Sequence, residues 1–147
     1  MPIFNKIKIN LNSYYKFHPD YQIKFYFNIN TILYSKIPSQ EYNSISQCLA
    51  TVKHAVYTED LGIQVVNAER VWPEVALRAL TVMLKNRFFS GPEEDINLLI
   101  NTGSDYLEYD TEDDFLGAGS DGQGLNLYGV ALMRARDYII ENKKKSM

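Results

Sequence analysis

Polar and apolar residues alternate from Lys6 to Leu11, the period of two expected of a strand with one buried face. The same period returns over Tyr21 to Ile32, where Ile23, Phe25, Phe27 and Ile29 share one face and Lys24, Tyr26, Asn28 and Asn30 the other. His18-Pro19-Asp20 is a turn signal between the two runs. Together they predict an antiparallel pair, which must lay its apolar face on something larger to be stable.

Near residue 43 the period becomes helical. Ser44 is placed to cap a helix in which Ile45, Leu49, Val52 and Val56 recur on one side. A short strand is expected at Gly62 to Asn67, after which Pro73 is placed to open a helix running to about Phe89. That helix carries Val75, Leu77, Leu80, Val82, Met83, Leu84 and Phe88 around most of its circumference, the mark of a central helix. Ser90-Gly91-Pro92 breaks it, and Glu93, Glu94 and Asp95 start another that stops near Gly103. A final helix is expected from Leu125 to about Glu141, with the lysines at 143–145 fraying beyond it. The fold class is therefore α+β: a mainly helical single domain over 1–147, β-rich to residue 42 and helical over 43–141, with a small N-terminal antiparallel hairpin or sheet packed on the helices.

Composition narrows the function. A chain of 147 residues buries roughly 68–70% of its unfolded surface, so a core forms without disulfides or a structural metal. Cys48 is the only cysteine, which removes a disulfide framework and a Cys-based zinc cluster. The net charge of −3 supplies no domain-wide positive field, so general nucleic-acid binding is not expected. No run reaches the 18 or more apolar residues of a membrane span, and Met1 to Asn12 lacks the apolar stretch of a signal peptide, so a cytoplasmic location is expected. Of the 11 Tyr, 7 Phe and single Trp, ten fall before residue 43, where they furnish the apolar face of the strand pair.

Three features carry candidate chemistry. Six acids and no base occupy Asp105 to Asp114, in a spacing that matches no calcium loop and reads as solvated. Gly117, Gly119, Gly122 and Gly124 follow, able either to let a backbone approach a phosphate or to form plain turns. Arg136 falls on the apolar face of the last helix with Gly129, Leu132, Met133, Ile139 and Ile140. Burying its guanidinium requires a carboxylate, a phosphate or fixed carbonyls, so it serves a structural pairing or a polar pocket under the glycine loop. His18, His54 and Cys48 show no ligand or nucleophile spacing and read as structural.

From Trp72 to Arg136 the chain resembles the NADAR superfamily, which includes riboflavin-intermediate N-glycosidases and ADP-ribose-processing relatives. The resemblance runs through Trp72, Val75, Leu84 and Phe88, through Glu108 and Asp113, and into Phe115-Leu116-Gly117-Ala118-Gly119-Ser120-Asp121-Gly122-Gln123-Gly124-Leu125-Asn126. Gly129, Leu132, Met133 and Arg136 complete it, and Tyr42 to Lys53 resembles the family's first helix. The N-terminal strands match no family position residue by residue, and residues 57–71 look shorter than usual.

The resemblance implies cleavage of a bond between ribose C1 and a nitrogen, which needs a carboxylate beside an oxocarbenium-like centre. The family's central Glu is Ser46 here, and its Trp-Gly-Asp-Gly element reads Leu116-Gly117-Ala118-Gly119. A stacking ring and two carboxylates are thus replaced, while Lys53, Trp72, Glu108, Asp113, Asn126 and Arg136 remain. The leading expectation is a catalytically impaired relative binding a nucleotide, ADP-ribose or phosphoribosyl ligand through Ser46, Lys53, Trp72, the four loop glycines, Asn126 and Arg136. One alternative is an N-glycosidase using Glu108 or Asp113 as its carboxylate; the other is a protein-interaction module with a closed pocket. No cofactor or metal is implied.

Overall fold

The computed structural model describes residues 5–33, 37–58 and 68–145. Strand β1 (Lys6–Ile9) is followed by β2 (Phe25–Phe27), β3 (Gln40–Tyr42), helix α1 (Ile45–Tyr57), α2 (Ala68–Ser90), α3 (Glu93–Ile100), β4 (Tyr106–Tyr109) and α4 (Leu127–Lys145). The fold is α+β, as the two periodicities require. No helix among the described residues is long and apolar enough to cross a membrane.

The strands pair differently from the expected hairpin. β1 runs parallel to β4, with Lys6 opposite Tyr106 and Ile9 opposite Tyr109, while β2 pairs antiparallel with β3, with Phe25 opposite Tyr42. Period-two alternation specifies which face is buried but not which strand lies alongside. The faces were read correctly: Phe25, Phe27 and Ile29 are buried, and Tyr26 is exposed. Both strands are shorter than the alternation suggested, because the chain leaves β1 through an Asn10–Ser13 bridge and leaves β2 into a 3-10 turn over Ile29–Thr31. Leu11 consequently projects into solvent.

Ser44 caps α1 as expected, its hydroxyl accepting from the Gln47 amide at 3.1 Å. The strand expected at Gly62 to Asn67 lies outside the described residues. α2 starts at Ala68, five residues before Pro73, which therefore lies inside the helix. The extra turn buries Trp72 against the end of α1, where its ring meets Tyr57 edge-on at 6.5 Å. Burial of a large aromatic outweighs the reluctance of a residue before proline to be helical.

α2 is the central helix. It packs on α1, α4, α3 and β2, and Ala76 and Ala79 let its neighbours approach closely while Leu80, Met83, Leu84 and Phe88 fill the core. Near its end Arg87 is buried and paired with the buried Asp95 of α3 at 2.8 Å, a second Arg87 nitrogen donating to the Lys16 carbonyl at 3.0 Å. Asp95, which the sequence offered as a simple helix-start acid, thus neutralises a core cation. α4 continues to Lys145, so the lysines expected to fray lie on its last turn, where Lys143 reaches Glu93 at 3.2 Å.

Candidate functional site

The β1–β4 pairing brings the turn after β1 against the end of β4 and the start of α1, and polar side chains meet there. Pro19 sits at the second position of a turn closed by the Tyr21 amide donating to the His18 carbonyl at 3.0 Å. The Ser46 amide, in the first turn of α1 where no helical acceptor exists, donates to the Pro19 carbonyl at 2.9 Å. The Ser46 hydroxyl donates to Asp20 Oδ1. Although the Asp20 side chain is 66% exposed, it is tied to α1 by the Ser46 hydroxyl, and the Ser46 amide holds the preceding residue's carbonyl.

His18 lies beneath Asp20, 9% exposed. Its Nδ1 accepts the Asp20 amide at 3.1 Å and lies 3.9 Å from Asp20 Oδ2, and its Nε2 faces the Tyr109 hydroxyl at 3.4 Å. The two rings meet at right angles, 5.4 Å apart. Burial raises the Tyr109 phenol above its ordinary range, and the negative charges of Asp20 and Asp113 push it the same way, against a hydrogen bond with Thr111. Tyr128, behind it, is fully buried, donates to the Phe17 carbonyl, and is raised further by burial. A carboxylate held by a serine hydroxyl thus stands on one side of the His18 ring and a neutral phenol on the other.

The glycine loop is built on the opposite principle. The amides of Gly117, Ala118, Gly122 and Gly124 donate to the carbonyls of Asp113, Tyr109, Gly119 and Ala118, and those of Leu127 and Tyr128 at the start of α4 donate to Phe115 and Leu116. A phosphate would find these donors taken. A side chain at Gly117 would strike Thr111 and the Tyr109 carbonyl, one at Gly124 would strike the loop's own backbone, and Gly119 and Gly122 hold φ of 74° and 75°. The cavity on the loop's outer side, about 290 Å³, is lined by Asp114, Phe115, Asp121, Gln123, Gly124 and Leu125, with two carboxylates and no cation. Asn126 is buried inside the turn: its Oδ1 accepts from the Tyr109 amide at 2.9 Å, and its Nδ2 donates to the Leu107 carbonyl at 2.9 Å and the Tyr106 hydroxyl at 3.1 Å.

The other expected site residues fall in separate places. Glu108 is nearly buried and paired with Lys6 at 3.0 Å. Asp113 is exposed, with Oδ1 accepting the Phe115 and Leu116 amides at 2.8 and 3.2 Å, which starts the loop. The Lys53 ammonium stands 5.9 Å from the centroids of both Trp72 and Tyr57. Arg136 is buried away from the loop, where Nη1 donates to the Asp105 carbonyl at 2.8 Å and to Thr102 Oγ1 at 3.0 Å. Nε has no hydrogen-bond partner, and burial lowers the guanidinium below its ordinary value. Its guanidinium thus meets carbonyl and hydroxyl oxygens, with the exposed Asp137 carboxylate 4.0 Å from Nε. Among the described residues no group of three His, Cys, Asp or Glu is placed to hold a metal ion.

Sequence reasoning read His18-Pro19-Asp20 only as a turn and His18 as structural, and passed over Tyr109. Their spacing carries no signal, because a parallel pairing of strands 100 residues apart assembles them.

The whole arrangement is similar to the NMR structure of the E. coli protein YbiA, with a TM-score of 0.62 over 97% of this chain and 89% of that one, at 19% identity. At that identity the likeness is one of fold. No protein-family model matches the chain, and no curated protein matches it in sequence.

Proposed function

We propose that the chain binds a nucleotide, ADP-ribose or other phosphoribosyl compound by its ribose, at the face formed by Asp20, Ser46 and Tyr109. The observation that carries this reading is an exposed Asp20 carboxylate fixed by the Ser46 hydroxyl, with a neutral phenol across the His18 ring. Ribose hydroxyls require such acceptors and donors in fixed positions, and a group already held in place loses little entropy on binding. Glu108 and Asp113 are occupied by Lys6 and by the loop amides, so the reading assigns neither of them the reacting carboxylate.

A ligand that binds only the folded chain raises its stability by about 2.7 kcal/mol at a hundred times Kd. Thermal-shift titration with ADP-ribose, NAD and ribose 5-phosphate is expected to raise the melting temperature, and Ser46→Ala to reduce the shift. Unchanged melting with all three at millimolar concentration would reject the proposal. The second reading, a protein-interaction module, draws on the sealed glycine loop and predicts that null result.

A further inference from the structure

We infer that the outer face of α2 docks an extended, phosphorylated peptide segment of a partner protein, with its phosphate held between Arg78 and Arg134. Arg78, Val82, Lys85 and Phe89 recur at i, i+4, i+7 and i+11 and so form one stripe along α2. Arg134 and Tyr138 of α4 border it, together with Tyr26, Thr31 and Ile32 from the N-terminal part. The two ends of the stripe differ in chemistry. At the first, a cavity of about 230 Å³ is lined by Arg78 and Arg134 with Thr31, Ile32, Thr81 and Val82, and by no carboxylate. At the second, a cavity of about 360 Å³ is lined by Tyr26, Asn86, Phe89 and Ser90, none of them charged. Between them the Lys85 ammonium stands 3.8 Å from the centroid of the Tyr138 ring, which meets Phe89 edge-on at 6.1 Å.

The two arginines are the anomaly. Arg87 and Arg136 are buried and held by oxygens of the chain, whereas Arg78 and Arg134 are exposed and make no ion pair or side-chain hydrogen bond among the described residues. Glu74, Asp137 and Glu141, the acids nearest to them along α2 and α4, line neither cavity. Two like charges from different helices therefore share one cavity in a chain whose net charge is −3. Their approach is unfavourable until an anion lies between them. The hydroxyls of Thr31 and Thr81 donate to the Asn28 and Leu77 carbonyls, so the guanidinium groups are the donors left to a ligand. A phosphomonoester, with nearly two charges and three acceptor oxygens, matches two guanidinium forks, and a single carboxylate matches one. The uncharged end shows what carries the phosphate. A nucleic-acid strand would bring further phosphates to Asn86 and Ser90, where no cation meets them, while a peptide brings one phosphate followed by side chains. Tyr26 and Phe89 are 64% and 48% exposed, a surface that a bulky apolar side chain covers. From Arg78 to Phe89 the helix rises about 16 Å, the reach of about five extended residues. The segment recognised thus carries a phosphorylated side chain and, about five positions away, a bulky apolar one.

The test titrates the full chain into fluorescent synthetic peptides in which phosphoserine and phenylalanine are separated by alanine–serine spacers of about three to five residues. Phosphorylated peptides are expected to bind, and their unphosphorylated forms to bind at least about 10-fold more weakly, as the loss of charge-assisted hydrogen bonds requires. Arg78→Gln combined with Arg134→Gln should reproduce that loss while leaving the melting temperature unchanged, since both side chains are exposed. Phe89→Ala should weaken the phosphorylated peptides about 3-fold and keep their advantage over the unphosphorylated ones. Equal binding of the two forms, binding that survives the double substitution, or no binding of any peptide at millimolar concentration would overturn the inference. Inorganic phosphate competing at the peptides' own affinity would reduce the cavity to an ion site, and equal affinity for a single-stranded oligonucleotide would assign the face to nucleic acid; either result overturns it. Self-association of the chain alone, abolished by the double substitution, would give the face to a second copy and overturn it as well.

Discussion

The glycine loop and the His18–Asp20 turn flank the same strand end, and they use their polar groups in opposite ways. In the loop, backbone amides, carbonyls and the Asn126 side chain satisfy one another and the glycines make room for close packing. In the turn, the backbone is satisfied by α1 and the Asp20 carboxylate is left facing solvent. The segment richest in suggestive sequence is thus a fastening for β4 and α4, and the segment with no motif carries the free charge. Glycine spacing alone does not separate a loop that receives a ligand from one that closes on itself; where its amides donate does.

Substitutions in the two regions should separate just as sharply, with the largest effect in the loop's attachment to α4. A side chain on Gly129 would strike the Leu107 carbonyl and the Asn126 amide, neither of which is a flexible end. Gly129→Ala is expected to cost about 3 kcal/mol in urea unfolding, the upper range for overpacking. Asn126→Ala strips partners from the Tyr109 amide and Leu107 carbonyl and should cost about 2 to 3 kcal/mol.

Alkaline titration probes the same division through two phenols. Tyr109 and Tyr128 are both raised in the folded protein, so the stability they contribute is complete below their unfolded value near pH 10 and is lost as pH rises above it. For the fully buried Tyr128 that loss approaches about 1.4 kcal/mol per pH unit. Tyr128→Phe should flatten the fall in stability above pH 10, and Tyr109→Phe, at the open face, should flatten it less.

Within the loop, Gly122 has open space around it but a φ of 75°, so Gly122→Ala should cost only about 1 kcal/mol, from backbone strain alone. Ser46→Ala should be smaller still, within about 0.5 kcal/mol, since its partner is solvated and the Ser46 amide still holds Pro19. Its effect is expected in ligand binding. A large loss of stability from Ser46→Ala would mean that the turn is a fastening like the loop and would remove the distinction.

The sequence made the helices legible because their signals are local: the Ser44 cap, the apolar circumference of α2 and the Ser90-Gly91-Pro92 break are each read within a few residues. It made the buried faces of β1 and β2 legible for the same reason. Pairing was not legible, since β4 lies in a run of acids whose strand character comes from Leu107 packing in the core and from Ile9 alongside. The candidate site depends on that pairing. Ser46 was singled out as a position that had lost a carboxylate, and the structure places the Asp20 carboxylate on its hydroxyl. The Arg87–Asp95 pair was hidden for a related reason: Asp95 read as an ordinary helix-start acid, and its partner comes into reach only when α2 and α3 pack together.

The central claim is that the open turn, and not the glycine loop, meets the ligand. Amide chemical-shift mapping during titration with ADP-ribose tests it directly. The account predicts shifts concentrated at residues 18–21, 44–47 and 109–113, with the amides of 117, 118, 122 and 124 changing little. Shifts confined to 117–124, or absent from residues 18–21 at saturation, would contradict it.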